Sequence, residues 1–216
     1  MLTLIHTTRE KMMLKRSIFA VAITLLGAIG TTAHAEDGNW LVRVRAAQLN
    51  PADKSTPIGG VGGADRIGVS DKTIPELDIS YSFTPNLAVE LVLTYPQKHD
   101  VLLDGAVVGS FKHLPPTLLG QYRFDPVGNF TPYLGAGVNF TRISGVHLLG
   151  GTADLENNSV GLALQAGVDY RINNNWSLNL DLKRINIRSD VTIAGATVSK
   201  IKVDPTLVAV GVGYRF

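Results

Sequence analysis

Gly211-Val212-Gly213-Tyr214-Arg215-Phe216 closes the chain, and the alternation it completes decides the fold. Val208, Val210, Val212, Tyr214 and Phe216 are apolar at every second position. Ala209, Gly211, Gly213 and Arg215 between them are small or charged. A period of two belongs to a strand with one apolar face. A strand finishing on an aromatic suits a transmembrane barrel, in which the last strand pairs with the first, the outer face meets lipid and aromatics sit at the interface. Taken alone, the pattern also fits any edge strand with an apolar face.

The other end of the chain favours the barrel. Lys11, Lys15 and Arg16 form a basic region, and Ser17 to Gly30 (SIFAVAITLLGAIG) is an apolar stretch too short to span a membrane as a helix. Ala33-His34-Ala35 is a small-x-small cleavage site. Residues 1–35 therefore read as a secretory signal peptide that needs nothing before Met12 or Met13. Cleavage before Glu36 leaves 181 of the 216 residues, one domain over 36–216. The leader carries Arg9, Lys11, Lys15 and Arg16 against Glu10. The chain's net charge of +2 thus becomes about −1 after cleavage, and the basic balance is no argument for nucleic-acid binding. The absence of cysteine excludes disulfides and thiolate metal sites. With no long apolar helix after residue 35, the chain enters a membrane as strands.

Eight segments carry the period of two, at about 39–49, 73–83, 86–96, 113–124, 130–142, 160–172, 175–187 and 203–216. Each is near the ~9–11 residues that a tilted strand needs to cross the hydrocarbon core. Short connections rich in Pro, Gly and Asn (84–86, 125–129, 173–175) alternate with long ones (50–72, 97–112, 143–159, 188–202). That alternation predicts an all-β, eight-stranded antiparallel transmembrane β-barrel with short periplasmic turns and long extracellular loops. The aromatics Trp40, Tyr81, Phe83, Tyr122, Phe124, Phe130, Tyr133, Tyr170, Trp176, Tyr214 and Phe216 lie at the chain ends or beside the short turns, as an interfacial girdle requires.

Parity assigns the faces. With Phe216 outward, the faces 208–216, 162–170, 176–182 and 87–95 present Val, Leu, Ala and aromatics without a charge. The inward sets hold Arg43, Arg45, Asp78, Glu90, Arg123, Asp169, Arg171, Asp181, Lys183 and Arg215, mostly nearer the short turns. Opposite charges in a narrow barrel pair and pack, so these ten predict a luminal plug. Nearer the long loops the inward positions are milder: Ala47, Leu49, Val92, Thr94, Thr117, Leu119, Asn139, Ala163, Leu207 and Ala209. His113-Leu114-Pro115-Pro116 opens the fourth segment, and two prolines lack the N–H that a strand ladder needs. They read as a rigid strand start or as a break in the wall. The channel and lateral-gate candidates are Leu49, Val92, His113, Leu114, Pro115, Pro116, Leu119 and Leu207.

Little else suggests chemistry. Pro57-Ile58-Gly59-Gly60-Val61-Gly62-Gly63 lacks the strand–helix context of a phosphate loop and reads as a flexible surface loop. His99, His113 and His147 fall in or beside three long loops without metal-ligand spacing, so exposed or packing roles are expected and no metal or cofactor is. No Gly-x-Ser-x-Gly elbow is present, and no enzyme is expected.

At this point the chain resembles the OmpW family of small outer-membrane proteins, which includes alkane-uptake relatives of the AlkL kind. The resemblance rests on His113-Leu114-Pro115-Pro116-Thr117, on Pro132-Tyr133-Leu134-Gly135-Ala136-Gly137-Val138-Asn139-Phe140-Thr141, and on Gln165-Ala166-Gly167-Val168-Asp169-Tyr170 with Asn173 and Trp176. Asp204-Pro205 and the closing Gly213-Tyr214-Arg215-Phe216 complete it. It implies a barrel with a closed periplasmic end and a hydrophobic upper channel, passing small apolar molecules with lateral release into the membrane. The alternative reading is a structural or adhesion barrel binding through its extracellular loops. Many members begin the sixth strand with a channel-narrowing tryptophan, whereas Asn158-Ser159-Val160-Gly161 has none. The expected partners are outer-membrane lipids and lipopolysaccharide, small apolar solutes and, during biogenesis, the barrel-assembly machinery. The expected location is the outer membrane of a Gram-negative cell.

Overall fold

The structure is a computed structural model and describes residues 38–216. The signal peptide read from residues 1–35 lies outside the described residues. Fifteen strands follow one another: β1 (Trp40–Asn50), β2 (Lys54–Ser55), β3 (Ile67–Val69), β4 (Lys72–Ser82), β5 (Leu87–Leu93), β6 (Gln97–Leu103), β7 (Ala106–Leu114), β8 (Thr117–Arg123), β9 (Phe130–Leu148), β10 (Ala153–Leu155), β11 (Asn158–Arg171), β12 (Trp176–Ile185), β13 (Arg188–Ile193), β14 (Ala196–Lys202) and β15 (Thr206–Arg215).

Eight of them close a barrel. Going round the wall, the order is β1, β4, β5, β8, β9, β11, β12 and β15, and β15 pairs back onto β1, every pair antiparallel. Closure removes sheet edges, the condition for strands in hydrocarbon. The register obeys the parity read from the sequence. Arg43 lies between Asp78 of β4 and Gly213 of β15, and Arg45 between Glu76 and Gly211, all facing in. The glycines are required there. A Cβ at Gly213 would sit 2.7 Å from Ser177 Oγ and 3.2 Å from Arg43 Cγ, and one at Gly211 would lie 2.8 Å from Arg45 Cγ. Outward, Leu178, Leu180, Leu182, Val208, Val210 and Val212 remain exposed, as a lipid-facing surface must.

Aromatic pairs ring the short-turn end. Trp40–Tyr81, Tyr81–Phe83, Tyr122–Phe124, Phe130–Tyr170, Trp176–Tyr214 and Tyr214–Phe216 have centroids 4.8 to 5.1 Å apart. Tyr133 is a correction to the sequence reading: it points inward, 1% exposed, and has left the girdle for the lumen. Tyr95 and Phe140 are exposed at the opposite rim. Phe130 and Phe140 stand ten residues apart on β9. That is about 34 Å of strand, or ~25 Å of height at a barrel tilt near 40°, the thickness of an outer-membrane apolar band.

The long connections are a second correction. They were expected as loops, yet they pair into a crown that continues the wall upward. β7 runs beside the upper half of β9, from Leu114↔Arg142 to Gly109↔Leu148. β6 pairs with β7 and β3 with β6; β10 bridges β9 and β13, β13 pairs with β14, and β14 with β2. Hydrogen bonds from Asp65 N to Ser55 O (2.9 Å) and from Val69 N to Asp53 Oδ1 (2.8 Å) join β3 to the β2 side. The fourth segment, expected as one strand over 113–124, is split by its prolines between β7 and β8.

Candidate functional site

The lumen is layered. At the bottom a polar vestibule of about 420 Å³ opens between the short turns, with Arg171 and Arg215 on its wall. Both were assigned to the plug from the sequence. The structure places them one layer lower, Arg171 exposed and Arg215 half-buried.

Above the vestibule lies a floor of buried charge. Arg43 grips Asp169 through Nε (3.1 Å) and Nη2 (2.6 Å) and donates from Nη1 to Glu90 (2.8 Å) and Ser80 (2.9 Å). Arg123 donates to the same Asp169 at 2.7 Å. Arg45 donates to Asn179 (2.7 Å), Glu76 (3.2 Å) and the Tyr133 hydroxyl (3.2 Å). Lys183 donates to Glu76 (2.6 Å) and Asp181 (2.7 Å). The Tyr133 hydroxyl donates to Asp181 at 2.6 Å, and the guanidinium carbons of Arg43 and Arg123 lie 5.4 and 5.7 Å from its ring centroid. Gln165 ties Glu90 to Asp181, 2.8 Å from each. Five carboxyl groups (Glu76, Asp78, Glu90, Asp169, Asp181) face four cations (Arg43, Arg45, Arg123, Lys183). Asp78 meets Arg45 at 2.9 Å, but neither of its oxygens has a hydrogen-bond partner among the described residues.

Glu76, Tyr133, Gln165 and Asn179 were missing from the sequence-based plug. Parity alone would have found Glu76, two residues from Asp78 on β4. Gly167 makes room for Tyr133, since a Cβ there would lie 2.4 Å from the ring.

An apolar column stands on this floor. Ala47, Leu49, Ile74, Val92, Leu119, Ala163, Ile185, Leu207 and Ala209 are buried and continue into the crown residues Val69, Val101, Phe111, Ile143, Leu155, Val191 and Ile201. Leu49, Val92, Leu119 and Leu207, expected on the channel wall, all belong to it. At the top an apolar cavity of about 60 Å³ opens among Ile58, Ile67, Leu103, Leu148, Ile193 and Val198.

Pro115 and Pro116 break the wall at the height of Phe140. On the β9 side the break is pinned. Phe140 N donates to Pro116 O (3.0 Å), and buried Asn139 Nδ2 reaches Pro115 O and Pro116 O (both 3.2 Å) and Thr117 Oγ1 (2.9 Å). On the other side the β5–β8 ladder ends at Val92↔Thr117, and β6–β7 pairing resumes at Gln97↔His113. No ladder pair spans the residues between. Pro115 is buried, while Leu114 and Pro116 are half-buried on the wall.

The three histidines, grouped together in the sequence reading, separate in the structure. His147 is exposed, whereas His99 and His113 are stacked and buried in the crown. Burial holds the His113 imidazole down to about 3 and lowers His99 as well. Ser159, near the start of β11, is buried and accepts from Arg188 N at 3.0 Å.

A closed antiparallel barrel with an apolar outer band, an aromatic girdle and a lumen of buried, paired charge defines an integral outer-membrane β-barrel protein. The OmpW family model matches residues 36–216, and the chain belongs to the OmpW family. It is 43% identical over 184 residues to the outer-membrane protein y4mB of Sinorhizobium fredii, covering 82% of this chain and 80% of that protein. It is 32% identical to outer membrane protein W of Escherichia coli, covering 94% of this chain and all of the relative. The crystal structure of OprG from Pseudomonas aeruginosa superposes with a TM-score of 0.72 at 28% identity, covering 84% and 97% of the two chains. A further relative, 26% identical over 94% of this chain and all of its own length, is the dibenzothiophene metabolism operon protein PahQ of Pseudomonas aeruginosa. These likenesses agree with the family resemblance and the eight-stranded barrel read from the sequence.

Proposed function

We propose that the protein carries small apolar molecules from the cell exterior into the outer leaflet and releases them sideways at Pro115 and Pro116. The carrying observation is the order of the layers: an apolar column stands on a charged floor, and the wall loses its ladder beside the upper part of that column, at the outer rim of the apolar band. A solute that sheds apolar surface against the floor forfeits ~25 cal/mol per Å², whereas lipid beside the break costs it nothing of the kind. The mouth cavity, about 60 Å³, is under half of the ~150 Å³ that holds a benzene, so passage requires crown side chains to part. The name of the relative PahQ, which ties it to the metabolism of an apolar aromatic, fits this reading. The luminal charges of the floor serve as its seal. Uptake of a labelled apolar solute by cells with and without the protein tests the proposal; equal rates overturn it.

A further inference from the structure

Two imidazoles lie face to face inside the crown. The rings of His99 on β6 and His113 on β7 are stacked with centroids 4.7 Å apart and planes 13° from parallel. Gln97 pairs with His113 across the ladder, and all three side chains are at most 1% exposed. Phe111 packs 6.0 Å from both rings. His99 Nδ1 lies 2.8 Å from Ser70 O. A carbonyl only accepts, so Nδ1 carries the proton and Nε2 is left a bare acceptor. His99 Nε2, both nitrogens of His113 and Gln97 Oε1 have no hydrogen-bond partner among the described residues. Buried polar atoms are nearly always satisfied, and four orphans side by side in an apolar tube call for a ligand that meets them.

We propose that His99, His113 and Gln97 form a hydrogen-bonding station for the hydroxyl group of an otherwise apolar solute, an aliphatic alcohol or a phenol. The inference rests on the uptake reading and gives it a substrate class. His99 Nε2 and Gln97 Oε1 accept, and a neutral His113 offers one N–H and one lone pair. Acceptors outnumber donors, so the matching group must donate. A hydroxyl donates and accepts. A ketone or ether reaches only the His113 N–H, a carboxylate faces acceptors, and an alkane meets nothing. A metal ion fits poorly as well, because the lone pairs of stacked rings lie in near-parallel planes 13° apart, which do not converge on one centre. Gln97 and His113 form the first ladder pair above the proline break. A hydroxyl held there leaves its tail beside the opening.

The test uses 1-octanol and n-octane as probes. Cells carrying wild-type protein or the double variant His99→Leu, His113→Leu take up both labelled solutes, with uptake by protein-free cells subtracted. The octanol-to-octane ratio should fall about tenfold in the variant, the worth of a lost hydrogen bond. An unchanged ratio with a folded variant overturns the station. A second measurement needs neither the variant nor transport. In lipid nanodiscs with ¹⁵N-histidine, the His99 Nε2 resonance of the wild-type protein should move with 1-octanol and stay with n-octane. No movement, or equal movement with both, also overturns it. If neither solute enters cells faster with the protein, the uptake reading fails, and the resonance still decides the station.

Discussion

Arg43 and Asp169 meet across the barrel in a two-pronged grip of 3.1 and 2.6 Å, although 126 residues separate them in sequence. Asp169 also takes the 2.7 Å hydrogen bond of Arg123. It is the shared anion of two buried cations.

Removing it should be costly. Asp169→Ala takes from Arg123 the carboxylate it donates to and leaves Arg43 with Glu90 and Ser80 alone, and should destabilise the barrel by about 3–5 kcal/mol. Asp78→Asn deletes the one carboxyl whose oxygens make no hydrogen bond in a floor where acids outnumber cations. It leaves Arg45 its bonds to Glu76, Asn179 and Tyr133 and should cost less than Asp169→Ala. Urea titration of the two variants in lipid vesicles checks the contrast, and equal midpoints would refute this account of the floor.

The floor also forbids a water-filled pore. Planar-bilayer recordings should show small or no conductance, because the vestibule of about 420 Å³ is lined at Arg123 and Asp169 by the paired charges of the floor. Large, stable currents of the porin kind would contradict the layering.

The proline break can be separated from folding. Replacing Pro115 and Pro116 with Val restores two N–H groups, and Val pairs well in strands. The variant should keep heat-modifiable gel migration, a sign of a folded barrel, while apolar uptake slows. Wild-type uptake by the folded variant would leave the prolines as shapers of the strand start. Asn139→Leu removes the amide that holds both proline carbonyls and should cost about 1–3 kcal/mol.

The histidine pair predicts a pH effect. His113 is held near 3 in the folded protein against ~6.5 when unfolded, so the unfolded chain takes up the proton first. Its contribution to stability is full above about pH 6.5 and falls as pH drops toward 3. Lys72 opposes protonation of both rings, and Asp100 favours that of His99. Hydrogen exchange at Val101 and Phe111, corrected for intrinsic rates, should show weaker protection at pH 5 than at pH 7. In His113→Leu that difference should shrink.

The barrel was legible because a strand between lipid and lumen writes its two faces into alternate residues. Leu178, Leu180 and Leu182 against Asn179, Asp181 and Lys183 leave no second reading. Tyr133 was misplaced because its closeness in sequence to Phe130 and a short turn was weighed above its parity, which points it inward. The crown was missed for a different reason. Ile67–Val69 and Ala153–Leu155 are three residues each, too short for an alternation to stand out, and the longer crown strands fall within segments whose length and glycines suit loops. The stacking of His99 on His113 depends on the β6–β7 register, which single positions do not encode.

The charged floor has a consequence for the order of assembly. Its bonds join β1 to β4, β5, β9, β11 and β12, and Arg45 and Asn179 stand 134 residues apart. Adjacent strands or a single strand supply some of its pairs, Arg45 with Glu76 of β4 and Lys183 with Asp181 within β12, whereas Arg43–Asp169 and Arg45–Asn179 form only once the first strand comes round to β11 and β12. Such long-range pairings are late and collective. A half-zipped sheet therefore gains only part of these bonds and a closed one gains the cross-barrel remainder together, which makes the floor a latch that rewards completion.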